Sequence, residues 1–163
     1  MNTVVEKAPG FQVEQTKSGL LAVTKKQTLE EAFPVVDAGA TPLGGRILVQ
    51  LRCAKTMSDG GIALADESKD YEKWNTAVGK VIALGPLAFK DRNTAEYWPE
   101  GAWVTEGEYV RVPKWGGDRW EIPVPEDKDL PYGLQRKARF VIYNDREVIS
   151  KITGNPLDFV DYV

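Results

Sequence analysis

Pro42 to Leu64 reads PLGGRILVQLRCAKTMSDGGIAL, and the interpretation of the whole chain turns on this stretch. Arg46 to Leu51 has the alternation of a strand, with Ile47, Val49 and Leu51 on one face and Leu48 on the other. Apolar residues on both faces suit a small barrel, or a strand trapped at a subunit contact. A polar stretch follows, then Gly60, Gly61, Ile62, Ala63 and Leu64, flanked by Ser58, Asp59, Asp66 and Glu67. Paired glycines loosen the backbone. Large aliphatics in a charged loop then call for something else to bury them. We read the segment as a docking hook. The competing reading makes Ile62 and Leu64 alternate strand residues that face the chain's own core.

Outward from this stretch the rhythm remains that of short strands. Val78–Leu84, Tyr109–Val112, Trp120–Val124 and Phe140–Tyr143 are rich in β-branched, aliphatic or aromatic residues. Turn chemistry at Gly85-Pro86, at Pro113 to Gly117 and at Asn144-Asp145 separates them, and Glu147–Ile152 makes a last strand. Pro123 and Pro125 argue for edge or loop placement of their segment. Helical periodicity is almost absent, which predicts an all-β barrel. Residues 1–41 read as an N-terminal extension. Within it, Leu20–Thr24 suits a short strand. Thr28 and Glu31 have the spacing of a capping box ahead of a helix from Leu29 to Phe33, which Pro34 stops. This extension is either a partly ordered arm or a strap onto a neighbouring subunit or another face.

Composition closes several routes to function. At 163 residues the chain suffices for one domain with appendages. Its apolar share of 42% and charged share of 28% are those of a globular protein. No apolar run approaches the roughly 18 to 20 residues of a membrane helix, and no leader pattern opens the chain. A cytoplasmic protein with no membrane contact is the expectation. A net charge of −3 offers nucleic acid no general attraction. There is no histidine, which removes the Ser-His-Asp and Cys-His routes and the commonest metal ligand. Cys53 is the single cysteine, so neither an intrachain disulfide nor a cysteine-rich zinc site can form. We expect no enzyme activity, cofactor or metal, and Cys53 as a small buried or loop-edge residue.

Pro42, Leu43, Arg46, Ile47, Val49, Gly60, Gly61, Ile62 and Leu64 resemble the opening pattern of the GroES-like co-chaperonins, the chaperonin-10 family. Gly79 to Gly85 is similar to that family's strand returning from its loop, and Gly107 to Val112 to the strand that follows. Phe140 to Asp145 and then Val148 to Ile152 resemble its closing strand, turn and terminal strand. Each motif alone is weak, but the ordered set spans Pro42 to Thr153. The resemblance implies a GroES-like barrel over residues 42–153 with a mobile loop at 52–76 and a tail at 154–163. It also implies a homo-oligomeric ring, heptameric in the family, that caps a GroEL-type chaperonin and encloses a folding client. Gly60, Gly61, Ile62, Ala63 and Leu64 would hold the chaperonin; Ala63 stands where family members often carry a larger aliphatic. Leu43, Ile47, Val49, Val148, Ile149 and Ile152 would lie at the subunit interface, the terminal strand pairing with a neighbour's Leu43–Val49.

Three departures stand out: the extension, a roof-loop insertion at 85–103, and a second insertion at 114–137. In these the chain resembles virus-encoded co-chaperonins more than bacterial ones. Leu87, Phe89, Tyr97, Trp98 and Trp103 crowd the first insertion, either as a mini-core under the roof loop or as a face toward client or partner. Trp115 and Trp120 beside Arg111, Lys114 and Arg119 could form a stacking platform for single-stranded nucleic acid, which the overall acidity opposes. Asp66–Lys73 carries six charges of mixed sign and reads as a solvated loop side. The alternative function is structural: the same fold reused, as in a virion component, without a chaperonin.

Overall fold

A computed structural model describes residues 4–8, 11–15, 21–25, 27–53 and 76–159. Antiparallel sheet dominates them. Strands β1 (Val4–Ala8), β2 (Phe11–Gln15) and β3 (Leu21–Lys25) form a three-stranded meander. β3 meets the expectation of a strand near Leu20–Thr24; β1 and β2 go beyond it. In the sequence a Pro9-Gly10 pair lies between them, a pairing typical of turns.

Helix α1 (Leu29–Ala32) is a single turn that starts where the capping box places it. Thr28 Oγ1 accepts from the Glu31 amide at 3.2 Å, and the Glu31 carboxylate accepts from the Thr28 amide at 3.0 Å. One turn is marginal without packing. Packing comes from Ala32 and Phe33, buried with Val78 and Ile152. Phe33 meets the Tyr109 ring at 5.1 Å.

The main sheet holds β4 (Arg46–Leu51), β5 (Thr76–Leu84), β6 (Tyr109–Pro113), β7 (Asp118–Pro123), β8 (Lys137–Asn144) and β9 (Ser150–Lys151). Their order is β7-β8-β4-β5-β6-β9. Ile47 pairs with Leu84 on one side and Tyr143 on the other, so β4 has neighbours along both edges. The alternation read from the sequence places the side chains correctly. Ile47, Val49 and Leu51 enter a core with Val81, Val110, Val112, Val141 and Tyr143. Leu48 joins Phe140, Ala138 and Val124 on the other face.

Strands β6 and β7 stand well apart in this order, yet only Lys114–Gly117 connect them. The sheet must therefore curl until they approach, which is the expected barrel. Tyr143 reaches across the core and its hydroxyl donates to the Pro113 carbonyl. Arg119 donates to the Tyr143 hydroxyl at 2.7 Å, to the Gly116 carbonyl at 2.7 Å and to the Pro113 carbonyl at 3.3 Å. Gly117 has φ +70°, and a Cβ there would sit 2.6 Å from Val141 Cγ1 and 2.7 Å from the Ile142 carbonyl oxygen. This corner needs glycine on both counts.

The outer face is covered by the end of the extension. Gln50 Nε2 donates to the Pro34 carbonyl at 2.8 Å, and Trp120 Nε1 to the Ala38 carbonyl at 2.9 Å. This part of the extension straps the chain's own sheet. The strand expected over Glu147–Ile152 shrinks to β9, because Asp145–Glu147 forms a 3-10 turn. Glu147 carboxylate accepts from the Asn144 amide at 2.8 Å, a local bond that competes with strand pairing.

Replacing Gly117 by alanine should destabilise the chain by about 1–3 kcal/mol through the strained φ and the clash with β8. Thermal unfolding of G117A checks this, and an unchanged midpoint would show that the corner has room to relax.

Candidate partner-binding surface

Gly60, Gly61, Ile62, Ala63 and Leu64 lie outside the described residues, as does most of the expected 52–76 loop. The collar from which that loop departs and to which it returns is described. On the outgoing side the Cys53 amide donates to the Ala32 carbonyl at 2.8 Å, and Gln27 Nε2 to the Cys53 carbonyl at 2.9 Å. Arg52 reaches Gln27 Oε1 at 3.1 Å and the Phe159 carbonyl at 3.2 Å, while Arg139 donates to the Arg52 carbonyl at 3.0 Å. On the returning side Arg111 donates to Thr76 Oγ1 at 2.6 Å. Arg111 also lies over the Phe159 ring. Both stems are therefore fixed by side chains from several elements.

Cys53 belongs to this collar. Its thiol is buried and points at the Lys137 carbonyl, 3.5 Å away. Burial pushes the thiol above its ordinary range, with Arg139 and Arg136 opposing. A protonated thiol facing a carbonyl is a structural group.

The second insertion separates into the Lys114–Gly117 corner, strand β7 and a loop between Val124 and Lys137. Asp127 closes that loop from beneath. Its Oδ2 accepts from the Arg136 amide and from Arg136 Nε, both at 2.8 Å, and its Oδ1 from Nη2 at 2.9 Å. These bonds to Arg136 hold the Asp127 carboxyl below its usual range against the effect of burial. Arg136 continues to the Glu31 carbonyl at 3.4 Å, which links the loop to α1 and the collar.

The expected subunit-interface residues divide. Ile47 and Val49 are wholly buried in the chain's own core, on a strand whose two edges are already paired. They have no surface to offer a neighbour, and the pairing expected across Leu43–Val49 fails over β4. Val148 and Ile152 are also buried inside the chain. Leu43, at 68% exposure, and Ile149, at 55%, remain available. The alternation that marks a buried strand is the same whether a chain's own core or a second subunit buries it.

The aromatic insertion is a mini-core. Phe89, Trp98 and Trp103 pack mutually with centroids 5.2 to 5.8 Å apart and sit against the main core beside Ala88 and Val104. The Asp145 carboxylate accepts from the Phe89 amide at 2.9 Å and ties the insertion to the turn after β8. Tyr97 stays largely exposed, with Lys90 over its ring. Of the residues weighed for a nucleic-acid platform, Lys114 lies over the exposed Trp115 ring, Arg119 donates to the Tyr143 hydroxyl and Arg111 to Thr76, and Trp120 stacks on Phe140. Among the described residues, no group of acidic or cysteine side chains could hold a metal ion, and no helix is long and apolar enough to cross a membrane.

A family model described as the chaperonin 10 Kd subunit (Cpn10) matches residues 39–152, well over half of the chain. A search of the curated proteins finds no match.

The Asp127–Arg136 bonds should register in the acid limb of stability. A carboxylate whose folded value is depressed stabilises above its ordinary range near 3.9, and that contribution is lost as pH falls through the folded value. The urea midpoint of D127N should lie below that of the parent chain by a steady margin from about pH 5 to 7, and the margin should narrow below about pH 4. A margin independent of pH would assign the loss to packing.

Proposed function

The chain belongs to the chaperonin 10 kDa subunit family, and on that footing we propose that it is a co-chaperonin whose subunits form a ring-shaped lid on a GroEL-type chaperonin. The lid closes a chamber in which a client protein folds, and the ATP chemistry resides in the partner. The observation that carries this reading is the family match over residues 39–152, which runs through the loop bearing the hook. Gly60 and Gly61 supply the freedom to turn, and Ile62, Ala63 and Leu64 enter an apolar groove on the chaperonin. The collar around Cys53 and Thr76 supports this by giving the loop fixed ends.

Ring assembly draws on edges that the chain leaves open. Among the described residues, β9 is the last strand of its sheet and pairs with β6 alone. Among the described residues, 35–43 belong to no strand; they bend at Gly39 and leave Val35 and Leu43 exposed. A neighbour's 35–43 segment laid along β9, with Ile149 and Leu43 in the contact, would satisfy both edges at once. Seven subunits follow from family resemblance. A virus-encoded member working in a host cytoplasm, with insertions fitted to a bulky client, accords with the length of the two inserted loops.

Native mass measurement with and without a GroEL-type ring tests the proposal. The expected result is a closed oligomer that joins the chaperonin only when nucleotide is present. Ile62→Ser with Leu64→Ser should abolish capping and leave the oligomer intact. An oligomer indifferent to chaperonin would favour a structural use of the fold, and loss of the oligomer in the double variant would make both residues core.

A further inference from the structure

The loop between Val124 and Lys137 exposes three consecutive residues with large apolar surface, Leu130, Pro131 and Tyr132, the last with only Lys137 Nζ over its ring among the described residues. Leu130 is 43% exposed and Tyr132 82%. Loops with apolar residues ordinarily lay them on the nearest sheet. Here the loop's hydrogen bonds hold the tip outward. The Leu130 amide donates to the Asp127 carbonyl at 2.9 Å, and the Leu134 amide to the Pro131 carbonyl at 2.8 Å. Gln135 Nε2 spans the base, reaching the Leu130 carbonyl at 2.8 Å and the Lys128 carbonyl at 3.3 Å. Beneath them the Asp127–Arg136 pair closes the ends. The tip is preformed, so a partner that buries it need not order it.

We propose that Leu130, Pro131 and Tyr132 form a second, rigid contact with the chaperonin, seated on apolar surface beside the groove that takes the hook; this rests on the co-chaperonin reading. Position selects that occupant. Arg136 and Lys137, which close the loop, touch the Glu31 carbonyl and the Cys53 thiol, so the tip stands on the same collar from which residues 54–75 depart. Leu43, one of the two residues proposed for the ring contact, lies in a groove with Ile142 and Asn144 at the opposite end of β8 from Lys137, whereas the other, Ile149, donates its amide to the Arg111 carbonyl. The matching surface is apolar, with an acceptor for the Tyr132 hydroxyl and a polar margin to face Glu126, Lys128 and Asp129.

The test uses the full chain and a purified GroEL-type double ring loaded with ADP, with dissociation followed by surface-immobilised binding. Leu130→Ser with Tyr132→Ser should speed dissociation at least about 10-fold while the oligomer mass and thermal midpoint stay unchanged. Asp127→Asn, which leaves the tip's chemistry but loosens its base, should weaken binding in the same direction to a smaller degree. Unchanged dissociation of the tip variant, with capping by the parent chain intact, overturns this inference and leaves the proposed function standing. Loss of the oligomer without chaperonin present assigns the tip to a subunit contact and overturns it too. If the parent chain does not bind the ring at all, the proposed function fails and this contact with it.

Discussion

β4 is buried on both faces and paired along both edges. Ile47, Val49 and Leu51 fill the barrel interior, Leu48 enters the outer cluster, and Gln50 is drawn to the Pro34 carbonyl. A strand so placed cannot bend, slip or pair with another chain without losing several buried side chains at once, since a one-residue slip reverses every face. Everything attached to it inherits that rigidity. The roof insertion hangs from its start, where the Gly85 amide donates to the Arg46 carbonyl at 2.8 Å and the Leu87 amide to the Gly44 carbonyl at 3.0 Å. Gly85 admits no side chain there, because a Cβ would strike the Gly44 carbonyl oxygen. The collar begins at the other end of the same strand.

Function is thereby confined to connections and outer edges. The collar is held together by arginine side chains. Arg52, Arg136 and Arg139 each donate to backbone carbonyls from different elements, and a guanidinium suits this because its donors form a fixed planar fork. Hydrogen bonds from charged donors contribute more than neutral ones, about 1.5–3 kcal/mol each against roughly 1. The half-buried setting of these arginines lets their stems cover apolar surface at the same time.

The strands from β4 to β8 were legible because each packs one side on a core, half-buried in β7, and burial leaves a period of two in the residues. The capping box at Thr28 was legible because its bonds join residues three apart. Other features depend on partners that sequence order hides. Asp127 and Arg136 are separated by a loop whose turns bring them together, and neither residue type nor spacing announces a pair. Tyr143 looks like one more strand aromatic until the barrel closes and its hydroxyl meets Pro113. The interface assignment of Ile47 and Val49 failed for a related reason: apolar alternation reports burial and is silent on which chain does the burying. β9 came out short because Asn144 and Glu147 satisfy each other locally before the strand begins. The hook itself lies outside the described residues, so its reading rests on the glycine pair, the aliphatics and the family match.

A lid that must both hold and release gains from combining a loose contact with a stiff one. A loop that orders on binding loses roughly 1–2 kcal/mol of backbone entropy per residue, while each Ile or Leu it buries returns about 1.5–3 kcal/mol. Two aliphatic anchors thus stabilise only a few ordered residues, and one hook alone holds weakly. Repetition around a ring changes the balance, because every contact after the first is made at high effective concentration. A rigid tip on the same collar adds burial with little further ordering, since Asp127, Gln135 and Arg136 have already set its shape. In the proposed complex, a conformational change in the partner that displaced either surface would then speed release of the whole lid.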